Sequence, residues 1–191
     1  MPWPDVPEFL AVLRTRAGLA ALALEFTVLT AVRSGEARGA NWNEIDLAAK
    51  VWTIPANRMK AAKEHRVPLT ARALAILETV KPLRRDDGLV FPSTKPGRPL
   101  SDMTLSAVLK RMQVAVTVHG FRSSFRDWAG EATHHPREIA EEALAHIIGN
   151  ATERAYRRGD SLERRRDLMA AREHYCTAPA GGNVVPIRQA G

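Results

Sequence analysis

Apolar positions recur at helical spacing along most of this chain and give way to short β-branched runs in one region only. Residues 8–17 read as a short helix and 19–32 as a longer one, with Leu19, Leu22, Phe26 and Leu29 forming its buried stripe. Ahead of them Pro2, Pro4 and Pro7 predict an extended lead-in. Ser34 or Gly35 is placed to cap a further turn carrying Glu36 near its start, where a carboxylate suits the positive end of the helix dipole. The β-branched runs follow at 45–47, 51–55 and 66–69, separated by charged or small turns, and predict a three-stranded antiparallel sheet. Arg58, Met59, Lys60, Ala61, Ala62 and Lys63 fall at the connection between its second and third strands.

Helical spacing returns at Thr70, with Leu74, Leu77 and Val80 on one side until Pro82 stops the run. Residues 83–100 are loop-like with an extended piece at 89–91, and a helix over 101–112 has Ser101 or Asp102 as its cap. In HGFRSSFRDWAGE, Phe121, Phe125, Trp128 and Ala132 make an apolar stripe beside His119 and Arg122. Pro136 opens a helix to 148 that Gly149 closes, with His146 in its last turn. Asn150 with Glu153 resembles a capping box for a short helix holding Tyr156, and Asp160 with Glu163 does the same for a last helix to about 175. From 177 onward periodicity is lost, and a disordered tail is expected. There is no internal repeat. The expected class is α+β, mostly helical with one small antiparallel sheet.

Charge narrows the partner. Lys and Arg outnumber Asp and Glu by 28 to 21, a net charge of +7, which favours nucleic acid over a merely basic surface. Residues 151–172 alone hold seven arginines against four acids. The single cysteine, Cys176, excludes an internal disulfide and a multi-cysteine metal site, as in a reducing cytosol, and reads as inert. His134 and His135 are adjacent and diverge on a helix, and no histidine pair stands at i, i+4, so no metal site is expected. The apolar run at 19–24 is broken by Glu25, and the N-terminus lacks a signal-peptide core, so the chain is expected to be neither secreted nor membrane-inserted. G-x-S-x-G, Walker A and G-x-G-x-x-G are all missing, which leaves a serine hydrolase or nucleotide-binding fold without support.

The candidate chemistry begins with His119 and Arg122. On one helix face, a guanidinium and an imidazole supply donors suited to phosphate oxygens. Alone, His-x-x-Arg is a common accident. Here it stands third in an ordered set: Arg33 and Glu36 in LTAVRSGEARGANW, Lys60 in RMKAAKEHRVPLT, then HGFRSSFRDWA, then His146 in ALAHIIGN, then Tyr156 in AYRRGDSLERRRDLM. In that order these blocks resemble the tyrosine recombinases, in particular the phage and genomic-island integrases, over nearly the whole chain.

The resemblance implies a division of labour. Arg33, Arg122 and His146 neutralise the scissile phosphate, Tyr156 attacks it to give a 3′-phosphotyrosine, and Lys60 protonates the departing 5′-oxygen. His119 is an assisting proton carrier and phosphate ligand, and Glu36 fixes the arginine geometry. Lys63, Arg126, Arg154, Arg157 and Arg158 are candidate DNA contacts. No cofactor or metal is implied, because the energy of the broken bond is kept in the protein–DNA ester. The implied partner is double-stranded DNA at attachment sites, bound by a homotetramer, with room for accessory DNA-bending factors, in the cytoplasm and associated with the nucleoid. Residues 1–176 would be the catalytic domain and 177–191 the tail, without the core-binding and arm-binding domains that precede it in family members. The rival expectations are a type IB topoisomerase, which uses a similar constellation to relax DNA, and a non-catalytic DNA-binding module.

Overall fold

The computed structural model describes residues 1–147 and 161–177. Its helices, in chain order, are α1 (Val6–Arg14), α2 (Leu19–Thr30), α3 (Ser34–Arg38), α4 (Ala71–Val80), α5 (Thr104–Arg111), α6 (Gly120–Ala132), α7 (Arg137–Ala143) and α8 (Leu162–Thr177). The strands β1 (Ile45–Asp46), β2 (Val51–Ile54) and β3 (His65–Pro68) form the expected antiparallel sheet in the order β1-β2-β3. Val51 pairs with Pro68 and Ile54 with His65, so a long loop over residues 55–64 leaves the sheet at one end.

The fold is built around α2. It packs against α1, α3, α4, α5 and α8 and is buried on every side from Ala23 to Thr30, so the expected single stripe understates it. Leu19 and Leu22 are only partly buried, whereas Ala23, Leu24, Phe26, Val28 and Leu29 lie in the core. A helix apolar all round is one that neighbours enclose. Its two threonines obey the same logic: buried hydroxyls of Thr27 and Thr30 donate to the carbonyls of Ala23 and Phe26, one turn back. Phe26 meets Trp52 of β2 and Phe91 with centroids 5.5 Å apart in each pair, which joins the helical core to the sheet. Phe91 belongs to the expected extended piece, anchored where Leu89 bridges to Asn41.

Several local expectations give way. Pro4 and Pro7 lie in the first turns of a 3₁₀ helix (Trp3–Asp5) and of α1, because a fixed φ and a missing N–H suit a helix start as well as an extended chain. α5 begins at Thr104 without a side-chain cap: Asp102 accepts from Met103 N–H, and the Ser101 hydroxyl meets that of Thr104. On α6 the inward position is Ala129, and Ala132 is exposed. α7 stops at Ala143 rather than 148, and α8 runs through Thr177. The expected Tyr156 helix, Gly149, Asn150, Asp160 and the tail from 178 lie outside the described residues.

Two buried charge sites hold the helices together in different ways. Glu25 of α2 accepts from Arg14 of α1 at 2.6 Å and from Arg72 of α4 at 2.7 and 2.9 Å, and Glu173 of α8 takes the Arg72 backbone N–H at 2.7 Å. These two arginines hold the Glu25 carboxyl below its ordinary range, although burial alone would raise it. Arg172 of α8 is fully buried against the rings of Phe125, Trp128 and Tyr175, with its guanidinium carbon 5.1 to 5.9 Å from their centroids and no hydrogen-bond acceptor among the described residues. Breaking a buried pair leaves a charge uncompensated, whereas replacing an unpaired buried cation removes a desolvation cost. Glu25→Gln is therefore expected to lower the unfolding free energy by about 3 kcal/mol, and Arg172→Met to leave it unchanged or raise it, as read from urea melts. A large loss in Arg172→Met would mean that the ring faces more than offset desolvation.

Candidate active site

The site forms where the end of α2, the start of α6 and the end of α7 converge on Arg122. This side chain is 5% exposed. It donates through NH1 to the carbonyl of Ala31, which follows α2, and through NH2 to the carbonyl of Leu144, which follows α7, at 2.5 Å. NH2 also lies 3.2 Å from His146 Nε2, and Nε has no partner among the described residues. Of five N–H donors on a guanidinium, two thus have no partner among the described residues, and the one on Nε is buried. Burial, and then the neighbouring Arg33 charge, pull Arg122 down to about 10, with Glu36 and Glu141 opposing. It is still a cation at neutral pH. Two guanidiniums close enough to repel, one of them desolvated, make a place that an anion stabilises.

Arg33 reaches the site through local sequence. Ala31 adopts φ +54°, ending α2, and the chain turns so that Arg33 becomes the N-cap of α3 in place of Ser34 or Gly35. Glu36, three residues on and 5% exposed, accepts from both the backbone N–H and NH1 of Arg33, each at 2.8 Å. The N3 carboxylate of a short helix therefore fixes main chain and side chain of the arginine together. A further cation supports this arrangement from the sheet side: Arg58 NH2 donates to the Glu36 carbonyl at 2.6 Å, while its NH1 is paired with the Glu44 carboxylate, which also accepts from Trp52 Nε1 at 2.9 Å.

His146 arrives by a different device. α7 ends in a Schellman closure, with His146 N–H donating to the Glu141 carbonyl at 2.9 Å and Ala145 N–H to that of Glu142 at 3.0 Å. The left-handed residue that this requires is Ala145, at φ +50°, and not Gly149. His146 thus stands beyond the helix rather than in its last turn. Its Nδ1 is 2.6 Å from Glu141 Oε2, and its Nε2 faces Arg122.

The other candidates are more dispersed. His119 is the exposed N-cap of α6, and no hydrogen bond joins its ring to Arg122, whose side chain turns inward; the expected cationic pair on one helix face does not form. Lys60 and Lys63 are both exposed on the 55–64 loop and have no side-chain partner among the described residues. Arg126 is half exposed and pairs with Glu141 at 2.8 Å. Tyr156, Arg154, Arg157 and Arg158 lie outside the described residues. Within the basic stretch 151–172, Arg165 and Arg172 are buried, which removes two cations from the surface that the sequence suggested.

Three supporting residues escape a reading by motif. His65 opens β3 and is nearly buried; burial, and then the Arg165 charge, lower it to about 4, so its ring is neutral at pH 7 and donates to the Ala143 carbonyl. Arg58 and His65 thereby tie the two ends of the lysine loop to the elements that carry Arg33 and His146. Glu141, which precedes His146 by five residues, is the third; a carboxylate at that offset has meaning only once the helix is known to end between them. Among the described residues no helix is long and apolar enough to cross a membrane, and no cluster of His, Cys, Asp and Glu could hold a metal ion.

The model of the Phage integrase family matches residues 4–162. Prophage integrase IntA of Escherichia coli K12 is 42% identical over 161 residues, covering 83% of this chain and 39% of that protein. The integrase of Enterobacteria phage P4 is 32% identical over 189 residues, covering 88% and 43%. The chain therefore spans about two fifths of the length of these relatives. The integrase from mycobacterium phage Brujita superposes with a TM-score of 0.67 at 19% identity, over 89% of this chain and 57% of that one, which shows a shared fold. With a family model that matches residues 4–162, most of its length, the chain belongs to the phage integrase family.

Proposed function

We propose that this chain carries the strand-transfer centre of a site-specific DNA recombinase that integrates or excises a mobile element. The observation that supports it most is a buried Arg122 with no carboxylate partner among the described residues, His146 3.2 Å from it and the Arg33 charge near enough to act on it. A phosphodiester fits such a place, because its non-bridging oxygens carry the charge that the site lacks. In the proposed reaction the Tyr156 hydroxyl gives its proton to His119 as its oxygen attacks phosphorus, the bond to the 5′-oxygen breaks, and Lys60 gives that oxygen its proton. A 3′-phosphotyrosine and a free 5′-hydroxyl result. Attack by the 5′-hydroxyl of another strand reverses the step and exchanges partners, so the chemistry balances without ATP or a metal. His119, exposed at the start of α6, assists proton movement, and Lys63 contacts the backbone. Action on two duplexes calls for several copies, and a homotetramer on attachment-site DNA is part of the proposal, as is association with the nucleoid.

The test is incubation with a nicked suicide duplex, at a concentration where fluorescence anisotropy shows the DNA to be bound, followed by denaturing electrophoresis. A covalent protein–DNA band is expected. Binding without a band would sink the reading and favour a non-catalytic DNA-binding module. A band accompanied by relaxation of supercoiled DNA, with no exchange between two labelled duplexes, would favour the topoisomerase alternative.

A further inference from the structure

We propose that Glu141 is a positioning residue for His146, holding the imidazole so that Nε2 faces the phosphate gripped by Arg122. The proposal rests on the recombinase reading above. Its basis is a double connection between the two residues. The Glu141 carbonyl accepts the His146 backbone N–H at 2.9 Å, and the Glu141 carboxylate lies 2.6 Å from His146 Nδ1. Main chain and ring are thus fixed by one residue, through a helix end that Ala145 closes in the left-handed conformation.

Glu141 is itself held. Its side chain is 12% exposed, with Arg126 of α6 2.8 Å and Arg137 of α7 3.8 Å from Oε1. Burial alone would raise its carboxyl, but the hydrogen bond from His146 and the charge of Arg126 outweigh that and lower it, so it stays an anion. An ionised carboxylate only accepts, so the proton of a neutral His146 must sit on Nδ1. Nε2 then carries a lone pair, in agreement with the Arg122 NH2 donor 3.2 Å away. When a phosphate oxygen takes that position, Nε2 needs a proton in order to donate. Glu141 stabilises the imidazolium that provides it, as a carboxylate orients and supports a catalytic histidine elsewhere.

Two measurements test this. The first is the ¹⁵N NMR spectrum of the histidine-labelled chain without DNA. The Nδ1–H tautomer is expected for His146, with loss of that preference in Glu141→Gln; an Nε2–H tautomer in the wild type would overturn the proposal. The second is single-turnover adduct formation on the suicide duplex. Glu141→Gln, close to isosteric, should slow it by about 10-fold to 100-fold in a protein that still folds and binds DNA as the wild type does, and Glu141→Asp, which keeps the charge, should recover part of the loss. In a His146→Ala background, Glu141→Gln should add less than about twofold, because a residue acting through His146 has nothing left to position. An equal loss in both backgrounds would show that Glu141 acts some other way. A wild type without adduct would count against the recombinase reading, whereas the tautomer reports on Glu141 without any cleavage.

Discussion

Tyr156→Phe is expected to fold and bind DNA as the wild type does and to form no covalent adduct, a loss on the order of 10⁴ or more in cleavage rate, in the range seen when a nucleophile is removed. The change deletes one oxygen and little packing, so stability and affinity are not its targets. The chain has two tyrosines, and the structure gives the other a different task. Tyr175 on α8 stacks on Trp128 with centroids 5.8 Å apart, tilts against Trp3 at 5.6 Å, lies beside buried Arg172, and donates its hydroxyl to the Trp3 carbonyl at 3.3 Å. Burial raises its phenol above the ordinary value, the wrong direction for a nucleophile. Tyr175→Phe should thus form adduct at the wild-type rate and lose only a modest amount of stability. Peptide mapping of the adduct decides the assignment: a DNA-linked peptide containing Tyr175 would overturn it.

What could be read from the sequence divides along the range of the interactions. The apolar repeats of α2 and α6 and the three β-branched runs are local patterns, and each forms where expected, with ends shifted by at most two residues. The Arg33–Glu36 pair was legible for the same reason, being three residues apart, though its cap was assigned to the wrong residue. Contacts between distant residues left no local mark. Nothing near Arg122 announces that its guanidinium will be spent partly on the carbonyls of Ala31 and Leu144, so a surface pair with His119 was the natural expectation. His65 and Arg172 stand among charged residues in the sequence and are buried in the fold, each accounted for by elements far along the chain, Ala143 for one and the rings on α6 for the other. The early end of α7 is the most instructive case. A glycine was the obvious stop, yet Ala145 takes the left-handed position, and that choice brings His146 to Arg122.

Lys60→Ala is the second variant with a large expected effect, and it should be told apart from Lys63→Ala by the chemistry of the leaving group. Both lysines are exposed on the 55–64 loop, but the loop is held unevenly. Its first part is fastened by Arg58 to Glu44 and to the Glu36 carbonyl, and Met59 is buried, so Lys60 emerges directly from an anchored segment beside the element that carries Arg33. Lys63 stands at the far side of the turn, past Ala62 at φ +49°, and rejoins fixed structure only at His65. A proton donor must meet one oxygen in one geometry, whereas a backbone contact tolerates motion, which favours Lys60 over Lys63 as the proposed acid. An alkoxide leaves poorly without a proton, so Lys60→Ala should slow cleavage by about 10² to 10⁴. A thiolate needs no such help. Replacing the bridging 5′-oxygen by sulfur should therefore restore cleavage in Lys60→Ala while accelerating the wild type much less, with Lys63→Ala close to wild type on both substrates. Rescue of Lys63→Ala alone would exchange the two roles, and rescue of neither would move the acid to another group, with His119, exposed at the start of α6, the first to substitute.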